Sequence, residues 1–253
     1  MQKAFLYVVL AVLTFSIQAA EEEQDKTWKL SAELGVILTT GNTETTSVKG
    51  KVDATQELEK WSNQYIFDGL FKEDKVENND TGEEDTVKTA DKYFFSAQGN
   101  YKLEKKHDSL FVYGSHLKDQ FGPLADYTVV SVGYGTRLYE SESSYLDADI
   151  GPGYASGEKQ GDGETPGESI DGMILRANAE YEWQISKSAK FTQKLSVNYG
   201  SDNTVTKSET ALTAKINGSM QMKAGFNVTN NSDVDADKEN TDTETFVTLV
   251  FNF

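Results

Sequence analysis

The fold this sequence predicts is all-β: a transmembrane, antiparallel, up-and-down β-barrel of about twelve strands. Three observations predict it. The chain ends Thr-Glu-Thr-Phe-Val-Thr-Leu-Val-Phe-Asn-Phe, with Val247, Leu249, Phe251 and Phe253 two apart. Period two marks one face of an extended strand, and a closed barrel in lipid can end on such a face because its last strand pairs with its first. At the other end, Lys3 precedes an apolar run over 4–12 that extends through Leu13, Phe15 and Ile17, followed by Ala19, Ala20 and an acidic stretch. That is the layout of a secretory signal peptide over 1–20, and the run is short of the roughly 20 residues a spanning helix needs. Thirdly, residues 21–253 read as one domain of alternating segments, each close to the length a tilted strand needs to cross a bilayer.

The segments follow in order. Over 27–38, Trp28, Leu30, Ala32, Leu34, Val36 and Leu38 share a face. Over 45–58 the face is Val48, Val52, Ala54 and Leu58; over 61–72 it is Trp61, Tyr65, Phe67 and Phe71; over 91–103 it is Tyr93, Phe95, Ala97, Tyr101 and Leu103. The segment 109–118 offers Phe111, Tyr113 and Leu117 as its lipid face, which turns Lys118 inward. Next come 127–138 with Val130, Val132, Tyr134 and Leu138, and 145–154 with Leu146, Ala148 and Ile150. Leu175, Ala177, Ala179, Tyr181 and Trp183 mark 173–184, and Phe191, Leu195, Val197 and Tyr199 mark 191–200. Leu212, Ala214 and Ile216 mark 209–216; Met220, Met222, Ala224, Phe226 and Val228 mark 220–228; the run 243–253 is the last.

The joints alternate as well. Those at 59–60, 104–108, 140–144, 185–189 and 217–218 are short, and Asn217-Gly218 reads as a two-residue hairpin turn. Those at 39–44, 73–90, 119–126, 155–172, 201–208 and 229–242 are mostly longer. Short turns on one rim and long loops on the other is the outer-membrane layout, with the short turns in the periplasm. A soluble sandwich or lipocalin-like barrel would show the same alternation, so the two ends and the joints carry the membrane assignment. Composition agrees: hydrophobic residues are 37%, too few for a bundle of membrane helices but suited to strands with one polar face. The absence of Cys excludes a disulfide scaffold and thiolate chemistry, and a net charge of −17 excludes a nucleic-acid partner.

If the apolar faces meet lipid, the polar faces line a lumen. The candidates there are Glu33, Lys49, Lys51, Asp53, Asp68, Asp147, Asp149, Arg176, Glu180, Glu182, Lys194 and Lys215, joined by Lys118 and Lys223. Separated charges would line a narrow aqueous pore; paired charges would form a plugged network. The long joints are acidic. Asp233, Asp235 and Asp237 have the spacing that opens a calcium loop, but Lys238 stands where the turn glycine belongs, which leaves only a weak divalent site on oxygen ligands. No firm metal site and no cofactor is expected. His107 falls in a short turn, and His116 has Ser115 on the opposite face of its strand, so no hydrolytic pair is in place and an enzyme is disfavoured.

Two stretches carry a resemblance. Glu33-Leu34-Gly35-Val36-Ile37-Leu38-Thr39-Thr40-Gly41-Asn42-Thr43-Glu44-Thr45, and Ser131-Val132-Gly133-Tyr134-Gly135-Thr136-Arg137-Leu138 followed by Asp149-Ile150-Gly151-Pro152-Gly153-Tyr154, resemble the family of salt-induced outer membrane β-barrel proteins of unknown function. The resemblance covers essentially the whole of 21–253 and departs in the acidic insert after 72. It implies a bacterial outer-membrane barrel, porin-like, with no assigned chemistry. The ending likewise resembles the terminal strand of outer-membrane barrels, which implies that Phe253 is read by the barrel assembly machinery. Outer-membrane lipid and lipopolysaccharide are the expected partners. The functional expectation is a narrow channel or an envelope and salt-stress adaptation protein; the alternative is a closed structural barrel acting through its loops and lipopolysaccharide.

Overall fold

The computed structural model describes residues 27–39, 44–77, 84–161, 167–234 and 239–253. The expected leader over 1–20 lies outside them. Twelve strands are present: β1 (Trp28–Thr39), β2 (Glu44–Glu57), β3 (Trp61–Glu77), β4 (Glu84–Lys102), β5 (Ser109–Asp119), β6 (Leu124–Glu140), β7 (Ser144–Lys159), β8 (Ser169–Ser186), β9 (Ala189–Gly200), β10 (Val205–Lys215), β11 (Met220–Asn231) and β12 (Thr241–Asn252). They pair antiparallel in chain order, and β12 returns to β1 to close the barrel. The closing ladder runs from Ser31 opposite Asn252 to Leu34 opposite Leu249. It is clasped by Phe253, whose amide donates to the Leu30 carbonyl at 2.9 Å while its own oxygen accepts from the Leu30 amide at 3.3 Å.

Which face meets lipid is decided by exposure. Outward side chains form a continuous apolar surface that includes Val112, Val130, Val132, Ile150, Leu175, Met222, Val247 and Leu249; Met173 is 69% exposed and Leu138 63%. A surface of this kind in water would drive aggregation; in a bilayer it is the lipid-facing band. All three tryptophans of the chain, Trp28, Trp61 and Trp183, sit on this outer surface near the rim that carries the short turns. Trp61 meets Tyr101 edge-on at 5.3 Å, and Trp28 stacks on Tyr65 at 6.2 Å. Rings with one polar atom gather where hydrocarbon gives way to water.

Three local expectations are corrected. The acidic insert over 73–88 is largely not a loop: β3 and β4 continue their ladder through it as a hairpin, with a register shift between Lys72 and Glu73. Likewise β7 and β8 run on to Lys159 and from Ser169, leaving 160–168 as the connection. Beyond the bilayer a strand needs no apolar face, so the alternation fades while the backbone still satisfies its donors in the ladder. Secondly, β5 faces the other way. Leu110 and Val112 are the outward residues, while Phe111 and Leu117 are buried inside and Lys118 is exposed outward. Both faces of β5 carry apolar residues, so period alone does not choose between them. Thirdly, Asn217 does not begin a two-residue turn. Its side-chain oxygen accepts from the amides of Ser219 and Met220, and the hairpin closes between Ile216 and Met220. The Asn side chain supplies the acceptor a tighter turn would have taken from the backbone.

The reversed face of β5 has a structural partner. Phe111 is 1% exposed and lies against the wall where β6 and β7 approach each other at Gly133 and Gly151. A Cβ on Gly151 would stand 2.0 Å from the Val132 carbonyl oxygen, and one on Gly133 would stand 2.7 Å from the Phe111 ring. Only a residue without a Cβ allows this approach. The ring fills space that a side chain on Gly133 would otherwise occupy.

Candidate functional site: a charged and partly apolar lumen

Alternation along each strand, fixed by the register, puts the charged residues inside. Lys51 stands opposite both Glu33 and Asp68, Glu180 opposite both Asp147 and Lys194, and Glu209 also opposite Lys194. Arg176 Nη1 holds Asp149 at 2.7 Å, and Lys194 holds Glu180 at 3.0 Å. Lys190 holds Glu182 at 3.0 Å, and Arg137 takes Asp147 through two nitrogens at 2.6 and 2.9 Å. Lys223 bridges Glu209 at 2.9 Å and Glu33 at 3.3 Å, and Lys49 pairs with Glu244. Each of these pairs joins strands that are adjacent or next but one. These charges therefore pair along the wall.

A cavity of about 1230 Å³ results. Its lining reaches from Glu57, Leu103 and Asp108 at the short-turn rim to Phe121, Gly122 and Asp242 at the opposite rim. Of the candidates read from the sequence, Glu33, Lys49, Lys51, Asp68, Asp147, Asp149, Arg176, Glu180 and Lys194 line it. Asp53 is held by the Gln64 amide at 3.0 Å and Glu182 by Lys190, both set back against the wall, and Lys215 is exposed at the end of β10. Lys51 stands in the field of four carboxylates, Glu209, Glu33, Asp68 and Asp53.

Two cationic side chains cross the lumen. Arg176 reaches from β8 to β5 and β4, with its guanidinium carbon 3.7 Å from the Tyr113 ring centre and Nη2 3.4 Å from Gln98 Oε1. Lys207 reaches from β10 to β4, where its Nζ lies 4.9 Å from the centre of the Phe94 ring. Beside them the lumen is not polar. Leu117, Leu124, Tyr127, Val129, Ala155, Ile170, Ile174 and Val205 form a buried cluster against which Phe94 and Tyr113 pack. These residues belong to the halves of their strands nearer the loop rim, so the passage there has one apolar wall and one charged wall.

The profile of the family described as "Protein of unknown function, DUF481" matches residues 32–253. The chain belongs to this family. The DUF481 chain is also similar to the uncharacterized protein YdiY of Escherichia coli (strain K12), 30% identical over 166 residues. That match covers 65% of this chain and spans 63% of YdiY, a little under two thirds of its length. Among solved structures, it is similar to an outer membrane channel of Pseudomonas putida F1, with a TM-score of 0.52 at 9% identity over 89% of this chain and 94% of that one. It is similar also to the translocator domain of the autotransporter NalP from Neisseria meningitidis, with a TM-score of 0.50 at 9% identity over 100% of this chain and 97% of the other. At such identity the likeness concerns the fold: the DUF481 chain is a closed twelve-stranded barrel of the outer-membrane type.

Lumen residues of this barrel escaped the sequence reading for identifiable reasons. Lys207 fell in what read as a loop, because the apolar phase of β10 becomes visible only from Leu212 onward. Lys92, Glu209 and Glu244 are in phase with the polar face, and a strict period-two count from Tyr93, Leu212 and Val247 would have found them. The inward apolar cluster had no such signal. In the acidic loops, Asp233 is taken by Lys159 at 2.8 Å, a lysine that also holds Glu168 at 2.9 Å. Asp235 and Asp237 lie outside the described residues, among which no group of three or more His, Asp or Glu side chains could hold a metal ion. His107 sits in the β4–β5 turn, 3.4 Å from Glu140, and His116 Nδ1 lies 2.8 Å from Thr128 Oγ1 on the outer face.

Proposed function

We propose that this barrel is a narrow channel of the bacterial outer membrane, passing small charged solutes between the outside and the periplasm. The observation that carries the reading is the cavity lined from rim to rim, with its ion pairs running along the wall. Paired wall charges set the local field without filling the bore, and field is how rings of charge select ions. On this reading the short turns and both chain termini face the periplasm, residues 1–20 are the export signal, Phe253 is the assembly tag, and outer-membrane lipid and lipopolysaccharide surround the wall. A barrel without catalytic chemistry belongs to the same reading, and the outward placement of His116, beside the Thr128 hydroxyl, supports it. A role in envelope or salt-stress adaptation would be exercised through this conductance.

Single-channel recording of the refolded mature chain in a planar bilayer tests the reading. Discrete current steps are expected, and Lys51→Glu should shift the reversal potential in a salt gradient toward cation selectivity, since it adds a fifth carboxylate to a group of four. A heat-modifiable, folded barrel that never conducts would refute the channel. The crossing of the lumen by Arg176 and the clasp of Asp233 and Glu168 on Lys159 favour the second reading, a closed barrel acting through its loops and lipopolysaccharide. That reading predicts that phenotypes follow loop substitutions and leave lumen variants silent.

A further inference from the structure

We infer that the loop-side half of the lumen holds a binding site for a small amphiphilic organic anion, a carboxylate on an aromatic or aliphatic body, anchored by Lys207. The inference rests on the channel reading and names the class of solute it would select. Lys207 projects inward from β10 between Val205 and Glu209, which face the lumen two residues to either side. Its neighbouring cations are engaged: Lys223 with Glu209 and Glu33, Lys49 with Glu244, and Lys92 with Asp119 at 3.1 Å. The charges that act on Lys207 itself are Lys92, Asp68 and Asp119, yet among the described residues neither carboxylate comes within ion-pair distance of it. What its ammonium meets is the face of Phe94. A cation drawn into a lumen without a counter-ion is unfavourable, and an anionic guest removes that imbalance.

A simple ion does not account for the rest of the wall. Phe94 packs on the apolar cluster, and Leu117, Tyr127 and Val205 are 7%, 5% and 3% exposed beside the passage. A carboxylate seated at Lys207 would lay its apolar body on this wall. Cation, ring and aliphatic wall all lie on the same cavity surface. Uptake would then be selective by residence: a guest matching both charge and apolar body would pause at Lys207 and pass inward along the paired charges of the lower lumen.

The test is isothermal titration calorimetry on the detergent-folded barrel, with 4-hydroxybenzoate, acetate and 4-hydroxybenzyl alcohol as probes. 4-Hydroxybenzoate should bind, and acetate and the alcohol should each bind at least about tenfold more weakly, a difference of about 1.4 kcal/mol. Lys207→Gln should weaken 4-hydroxybenzoate by a similar factor, while Lys215→Gln, exposed at the far end of the same strand, should leave it unchanged. The wild-type probe series decides the matter even if Lys207→Gln fails to fold. Acetate binding as well as 4-hydroxybenzoate would overturn the amphiphilic site, and unchanged affinity in folded Lys207→Gln would overturn the anchor. A barrel that binds 4-hydroxybenzoate but never conducts would refute the channel and keep the site; one that conducts without binding would do the reverse.

Discussion

His107 is held at a φ of 67°, in the left-handed region that a side chain makes unfavourable. Its contact with Glu140 is on an exposed surface, where ion pairs are weak. His107→Gly should therefore raise the stability of the refolded barrel, by about 1 kcal/mol from the relief of backbone strain, read as a higher midpoint of heat-modified migration; an unchanged or lower midpoint would show that the ring is needed. Next to it, Asp108 accepts from the Thr136 hydroxyl at 2.6 Å, ties the β4–β5 turn to β6, and is approached by Lys105 at 3.3 Å. The Thr136 and Tyr134 hydroxyls, then Lys105, hold its carboxyl below the usual carboxylate range. A lowered value stabilises the folded barrel fully above the ordinary value of about 3.9, and that contribution is lost as pH falls through the folded value. Asp108→Asn should erode the difference between wild type and variant below about pH 4, measured as midpoints across an acid series; a gap that persists at low pH would contradict the assignment. The sequence showed His107 in a solvated turn, but its backbone strain has no mark in composition, and the Asp108–Thr136 bond joins residues from separate hairpins.

Elements were legible to the extent that lipid imposes a period. Where both faces of a strand are apolar, as on β5, the sequence does not say which is inside. The answer lies in Gly133 on the neighbouring β6, whose missing side chain makes room for Phe111, while Gly151 on β7 lets the β6 backbone come close. Gly151→Ala forces a methyl to 2.0 Å from the Val132 oxygen, so β6 and β7 must part. Overpacking of this kind costs about 1–3 kcal/mol. The folded fraction after refolding should fall, and the extra mutation Phe111→Ala should not restore it, because the clash is with backbone; recovery in the double variant would place the constraint on the ring instead. The extension of β3 and β4 past the bilayer was illegible for the opposite reason: out in water, nothing forces either face to be apolar.

At the scale of the whole molecule, strand number, closure and the lipid band were all readable, because they follow from counting segments and from one physical demand, that no backbone edge remain in hydrocarbon. The place of Glu33, Lys51, Asp149, Arg176 and Lys194 on the cavity wall also followed from alternation, whereas Lys118 turned outward with β5. Their pairing did not, since it depends on register: one residue of slip would separate Lys194 from Glu180 and Arg176 from Asp149. The reach of Arg176 and Lys207 across the bore depends further on which strands face each other over the lumen, and no local pattern encodes that.

The clasp between Leu30 and Phe253 joins nearly the first and last described residues. Every other strand meets a neighbour that directly precedes or follows it in the chain. Eleven hairpin-like pairings can form locally, but the seam cannot form until the whole chain has been made, and long-range closure of this kind is slow. Until then both edge strands stay open. An unfinished chain is therefore an incomplete sheet with two adhesive borders, each able to pair with another strand.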